Sequence, residues 1–468
     1  MVEKQLKKFL KSDPRLKGAL VGVSIRSAKT GEKLFAHMGD IRFRPASNLK
    51  LLTSAAALTV LGAGYTFSTD LGTDGRVEGK TLTGNLFLRG KGDPTLMPAD
   101  LRRFAEKLRE NGVERIEGDV IGDDTWHDDV RLSPDLNWSD EQYYYGAQVS
   151  ALTVAPDEDY DAGSLIVEVE PGMAVGDRPE IRIFPETDYV RVINEARTVS
   201  GEEESEVIVE RKHAENTIVV QGTISLGGEK EKEWMSVWDP TRYAVHLFSQ
   251  ALKEQGISWH GDLNIGKAPE DMTVLYTDRS IPLAELLVPF MKFSNNGHGE
   301  IMVKEMGKIA YGEGSWERGL EVLKSELPKL GVKQSTISIR DGSGLSHFNL
   351  IPANEITQLL YEVQKEEWFP AFFHSLPIAG HEERRIGGTL RDRMKGLSVQ
   401  AKTGTIHGVS TLSGYMDDPA GERVIFSIMI NNLLDEEEGK SIEDDLLDIM
   451  TKSRWDQQAD STSLNILD

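Results

Sequence analysis

The sequence predicts an α/β (α+β) domain whose chain is interrupted by inserted, mainly β material. Three observations point there. Strand-like segments stand near both ends with helical patterns between them. A stretch from about residue 163 to residue 228 carries almost no helix signal. The chain of 468 residues is also too long for one ordinary core.

The elements follow in order. Residues around 4–10 show an amphipathic helical pattern. ALVGVSIRSAKTGEKLFAH alternates around a Lys-Thr-Gly-Glu turn and predicts a β-hairpin. In PASNLKLLTSAAAL, Leu49, Leu52, Ala56 and Val60 recur at helical spacing, and Gly62 and Gly64 supply the stop. The Gly- and Thr-rich region 66–91 reads as short strands, and 101–111 as helix. SLIVEVEPG, EIRIFPET, SEVIVERKH and NTIVVQGTISLGG are short strands with polar turns, a small all-β unit. Helical patterns return at TRYAVHLFSQALKEQG, LAELLVPFMKFSN, EIMVKEMGKIAY and RGLEVLKSELPKLG. SVQAKTGTIHGV, STLSGYMDD and ERVIFSIMINNL predict three consecutive antiparallel strands, and a helix over 442–451 precedes a polar tail.

Composition narrows the function. Hydrophobic residues make up 39% of the chain, as in a globular protein. Asp and Glu number 76 against 53 Lys and Arg, a formal net charge of −23, which argues against nucleic acid and anionic membranes as partners. Without cysteine there is no disulfide framework, thiolate zinc site or thiol nucleophile. No apolar run is long enough to span a membrane. The first segment is too charged for a secretory core, so the protein is cytosolic or its leader is absent from this chain.

The most informative residues are Ser47 and Lys50, three apart and therefore on one helix face. A serine becomes nucleophilic when a neighbouring base takes its proton. Lys50 is that base if burial or positive charge lowers its pKa. Two later motifs make the pair specific: Ser294-Asn295-Asn296 after an apolar helical run, and Lys402-Thr403-Gly404-Thr405 on the first of the C-terminal strands. The tripeptides alone are cheap. Lys29-Thr30-Gly31 is a hairpin turn, and Ser463 to Asn465 repeats Ser-x-Asn in the tail.

Ser-x-x-Lys, Ser-x-Asn and Lys-Thr-Gly in this chain order resemble the signature of penicillin-binding proteins and serine β-lactamases. The resemblance implies that Ser47 attacks a carbonyl while Lys50 takes its proton. It gives Ser294 and Asn296 proton relay and amide binding, and has Lys402 and Thr403 hold a substrate carboxylate. Gly404 would let the substrate pair along the strand edge, and the backbone N–H groups of Ser47 and Thr405 would form the oxyanion hole. About 245 residues separate Ser47 from Ser294, far more than a compact β-lactamase needs. That insertion resembles the low-molecular-mass class C penicillin-binding proteins, the D-alanyl-D-alanine carboxypeptidase/endopeptidase group (peptidase S13-like), of Bacillus and actinomycete type. GKGDPTL, GDDTWHDD, FSNNGHGE, RDGSGLS and GGTLRDRM look like that family too.

The implied fold is a penicillin-binding/β-lactamase-like transpeptidase domain over 1–68 and 277–468. An inserted domain II would cover 69–161 and 232–276, with a small all-β domain III, 162–231, nested in it. The implied activity is cleavage of peptidoglycan stem peptides outside the membrane, without metal or cofactor, with β-lactams as inhibitors. For a meso-diaminopimelate side chain the matching residues are Asp140 and Tyr145, and His347 stands where some members carry Arg. The surrounding Trp/Tyr cluster reads equally as core packing. The competing readings are a D-amino-acid amidase, esterase or β-lactamase on the same scaffold, and a non-catalytic wall-binding module. His127 with Asp128 and Asp129, and His298 with Glu300, lack zinc-site spacing. His381-Glu382-Glu383 reads as a charged loop, Glu202 to Glu204 and Glu436 to Glu438 as solvated turns, and His407 as a weak substrate contact.

Overall fold

The computed structural model describes residues 2–455, so the Ser463 to Asn465 decoy lies outside the described residues. The chain divides into two compact units. One holds the chain up to Tyr65, Leu283–Gly307 and the chain from Trp316 onward; the other holds Thr66–Pro282 and Lys308–Ser315.

The first unit is built on a five-stranded antiparallel sheet. Its strands are β1 (Leu20–Ser27), β2 (Lys33–His37), β3 (Val399–Ile406), β4 (Val409–Asp417) and β5 (Arg423–Asn431), in the order β2-β1-β5-β4-β3. Chain-distant strands meet in the middle, with Val23 opposite Ile428 and Ser24 opposite Ser427. Alternation gives the sheet two unlike faces. Val23, Ile25, Leu412, Phe426, Ile428 and Ile430 belong to an apolar core shared with α1 (Val2–Ser12) and the C-terminal helix Glu436–Thr451. The intervening Ser24, Ser413 and Ser427 are small, buried and polar. Ser413 Oγ and Ser427 Oγ are 2.8 Å apart, and Ser24 Oγ donates to Asn354 Oδ1 at 2.8 Å.

Helix α2 (Leu49–Val60) is buried on every side from Leu49 to Leu58, more completely than its predicted apolar stripe requires. Such a helix belongs in a core, which makes Lys50 an anomaly that demands polar partners. Helices α3 (Leu283–Lys292), α4 (Asn296–Tyr311) and α5 (Trp316–Glu326) follow. The C-terminal helix starts six residues before the expected 442. This corrects the reading of Glu436, Glu437 and Glu438 as a turn: they form its first turn. Asp435 caps it by accepting from Glu437 N at 2.9 Å, and acidic side chains favour the positive end of the helix dipole.

The second unit holds a five-stranded sheet with strands Ser68–Thr73, Leu86–Lys91, Val120–Asp123, Leu263–Ile265 and Thr273–Arg279, and helices Pro98–Glu110 and Pro240–Glu254. Between residues 164 and 236 its regular elements are strands, arranged in a three-stranded and a four-stranded sheet. Leu165, Val167, Val220 and Met235 from this region join Leu88, Phe104 and Phe248 in one core.

Candidate active site

Ser47 lies on the single 3-10 turn Ala46–Asn48 that leads into α2. The turn is held from the sheet. Asn48 is fully buried and its Nδ2 donates to Ser413 Oγ at 2.7 Å. Thr411 Oγ1 donates to Pro45 O at 2.9 Å, and Arg44 N donates to Asn431 Oδ1 at 2.8 Å. Ala46 has φ +46, an uncommon conformation for a residue with a Cβ. Gly344, at φ +93, passes so close that a Cβ there would strike Ala46 O. The Ser47 turn and the Gly344 loop thus approach each other more closely than a side chain at position 344 would allow.

Lys50 Nζ has three partners. It lies 2.9 Å from Ser47 Oγ, 2.7 Å from Asn296 Oδ1 and 2.8 Å from the Ser343 carbonyl. Burial lowers its pKa to about 7, while the negative charges of Asp341 and Glu300 push the other way. Lys402 is also fully buried, and burial, with Lys50 nearby, pushes its pKa well down. Its Nζ donates to Ser294 Oγ at 2.9 Å and to Thr403 O at 2.7 Å. Ser294 has φ +61, between α3 and α4, which turns its hydroxyl to Lys402. Two lysine–serine pairs therefore stand at this site: Lys50 also bonds Asn296, the first residue of α4, and Lys402 bonds Ser294 just before it.

The edge strand β3 supplies the third side. Ala401 N donates outward to Pro377 O at 3.0 Å, so alternation turns the N–H groups of Thr403 and Thr405 to the same outer edge. Gly404 pairs with Thr411, and a Cβ on it would lie 2.8 Å from Ser47 N. Thr403 Oγ1 lies 2.7 Å from Thr389 Oγ1.

Ser47, Lys50, Ser294, Asn296, Lys402, Thr403 and Gly404 are thus brought together. His347 is half-buried, its Nδ1 3.2 Å from Arg44 Nη1. Asp140 and Tyr145 belong to the second unit. Burial, with Asp140 beside it, pushes the Tyr145 phenol up to about 12. Tyr145 stacks on Tyr143 at 5.4 Å, whereas Trp138 is 73% exposed and is no core residue. His407 sits exposed on the β3–β4 turn. Asn48, Ser343 and Thr389 lie inside the stretches PASNLKLLTSAAAL, RDGSGLS and GGTLRDRM, but the sequence assigns none of them a role, because their contacts are made by distant segments.

A family model described as the D-Ala-D-Ala carboxypeptidase 3 (S13) family matches residues 2–453. The chain belongs to this family. It is 40% identical over 426 residues to a D-alanyl-D-alanine carboxypeptidase of Actinomadura sp., covering 90% of this chain and 79% of that one. It is 25% identical to the D-alanyl-D-alanine carboxypeptidase DacB of Haemophilus influenzae, covering 88% and 86%. The crystal structure of penicillin binding protein 4 (dacB) from H. influenzae superposes with a TM-score of 0.81 at 23% identity, over 96% of this chain and 99% of that one. The same protein complexed with a β-lactam gives 0.75, at 23% identity over 96% and 100%. The fold is that of the S13 carboxypeptidases and their penicillin-binding/β-lactamase-like relatives. Among the described residues no helix is long and apolar enough to cross a membrane.

Proposed function

We propose that this S13-family protein is a serine-type D-Ala-D-Ala carboxypeptidase, also competent for DD-endopeptidase cleavage, acting on peptidoglycan stem peptides through an acyl-Ser47 intermediate. The observation that carries the reading is Lys50: a buried amine 2.9 Å from Ser47 Oγ with a pKa of about 7 is a base at neutral pH.

Ser47 Oγ attacks the carbonyl of the penultimate D-alanine as its proton passes to Lys50. Negative charge develops on the carbonyl oxygen, and the N–H groups of Ser47 and Thr405 are the donors assigned to it. The C–N bond breaks as the proton held by Lys50 passes by way of the Ser294 hydroxyl, beside Lys402, to the departing amine, which returns Lys50 to its neutral form. Water then hydrolyses the ester by the reverse path. Asn296 holds both Lys50 and the substrate amide, and Gly404, whose missing side chain leaves room for the Ser47 turn, lets the substrate add as another strand along β3. Lys402 and Thr403 take the terminal carboxylate, whose charge favours protonated Lys402. An endopeptidase reaction is the same chemistry with a larger leaving amine.

Asp140 and Tyr145 are assigned to the ammonium end of a meso-diaminopimelate side chain, and His347 to its carboxylate. The substrate places the protein outside the cytoplasmic membrane. The division into a peptidase domain, an inserted domain and a nested all-β domain belongs to the same proposal, and the strand-only character of residues 164–236 supports it.

The test is intact mass after brief incubation with benzylpenicillin, followed by peptide mapping. One adduct, on Ser47 and absent from a folded Ser47→Ala variant, is expected. No adduct with the drug unchanged would refute the reading, and rapid drug turnover without an adduct would point to a β-lactamase.

A further inference from the structure

Glu300 is nearly fully buried, at 5% exposure, and lies four residues after Asn296 on α4, so the two share a helix face. Its Oε1 accepts from Ser343 N at 2.8 Å, and its Oε2 accepts from Gly342 N at 3.0 Å and from Trp316 Nε1 at 2.7 Å. Ser343 is the residue whose carbonyl meets Lys50 Nζ. One residue thus bonds Glu300 through its N–H and Lys50 through its C=O. Asp341 secures the rest of this loop, taking Gly344 N at 2.9 Å, Ser346 N at 2.6 Å and Asn349 Nδ2 at 2.8 Å. The loop has no slack against α4, because a Cβ on Gly299 would lie 2.9 Å from Gly342 O.

Resting on the reading of Lys50 as the base for Ser47, we propose that Glu300 is a positioning residue for acylation. It fixes the Ser343 carbonyl that aims Lys50 and adds negative charge in the surroundings of that amine. Other ionisable groups surround the two. Lys402 comes from β3 and Asp341 from the loop. His298 and Lys304 are buried on α4 itself, with Lys304 Nζ 4.0 Å from the centre of the Trp316 ring. From α3, the Phe290 ring centre lies 5.8 Å from Lys50 Nζ, while Lys292 turns to the carbonyls of Leu376 and Ile386. Glu300 is the carboxylate that bonds the carrier of the Lys50 acceptor directly.

The experiment measures single-turnover acylation by benzylpenicillin from pH 5 to 9 in wild type, Glu300→Gln and Glu300→Asp, with a melting curve for each. Glutamine offers one acceptor oxygen to three donors and removes the charge. Acylation should slow about tenfold or more, and the acid limb should move to lower pH, because loss of a nearby anion lowers an amine pKa. Aspartate keeps the charge but is too short for the loop, so it should slow the reaction and leave the limb in place. A folded glutamine variant with wild-type rate and limb overturns the proposal. So does one that is slower at every pH with an unmoved limb, which marks a purely structural role. If the glutamine variant does not fold, the aspartate variant decides, and a wild-type rate there overturns it. Failure of wild type to be acylated at Ser47 refutes the underlying function instead.

Discussion

Gly404→Ala is the sharpest single perturbation of the site. The added Cβ would lie 2.8 Å from Ser47 N and 3.0 Å from Pro45 O, and against Thr411 Oγ1. The nearest backbone contact is roughly 0.6 Å short of an ordinary one. Thr411 is held by Pro45 O, so its hydroxyl has no cheap retreat. The strand and the Ser47 turn must separate, at a cost of about 1–3 kcal/mol of overpacking. The atom displaced is the Ser47 N–H assigned to the oxyanion, and losing one such donor costs about 100-fold or more in rate, roughly 2.7 kcal/mol of barrier. The expected result is a folded protein, modestly less heat-stable, with acylation by a fluorescent penicillin slowed about 100-fold. Rapid-mixing fluorescence gives the rate and circular dichroism the melt. Acylation at the wild-type rate would refute the reasoning, because the oxyanion donor would then not depend on the clearance over Gly404.

Acylation of the wild type should rise with pH through about 7 and fall about tenfold per unit below that, since the proposed base is the neutral Lys50 amine; a flat profile from pH 5 to 8 would exclude Lys50 as the base. The same lowered pKa makes unfolded Lys50 bind a proton that the folded protein lacks. Its contribution to stability should therefore rise from about pH 7 up to its ordinary value of 10.5, as Lys50→Met compared with wild type in denaturant titrations would reveal. Asn48→Ala removes a buried side chain that bonds Ser413 at 2.7 Å. It should cost about 1–3 kcal/mol and slow acylation, and an unchanged unfolding midpoint would show that the turn needs no anchor. Thr389→Val should leave penicillin acylation of Ser47 possible but weaken binding of substrates with a free terminal carboxylate, because Thr403 loses its 2.7 Å hydroxyl partner; equal KM values would contradict this.

The order of three short motifs was enough to collect Ser47, Lys50, Ser294, Asn296 and Lys402, because each carries a distinct side-chain chemistry and sits where local periodicity changes. Helix α2, the hairpin of β1 and β2, and the C-terminal strands were legible for the same reason: their apolar spacing repeats within a few residues. Glu436 to Glu438 misled because acidic runs suit both turns and helix starts, and the cap at Asp435 decides between them. Glu300 was visible only as the end of FSNNGHGE and as a neighbour of His298 without metal spacing, with no role of its own. Its engagement with the backbone of Gly342 and Ser343 depends on two segments brought together by α4 and the loop, which no local pattern encodes. Sequence by itself determined which chemical groups this protein possesses, and that a serine and a lysine share one helix face. Only the tertiary structure decided that Lys50 is wholly buried and surrounded by acceptors, and burial is what converts an ordinary surface cation into an amine that titrates near neutrality.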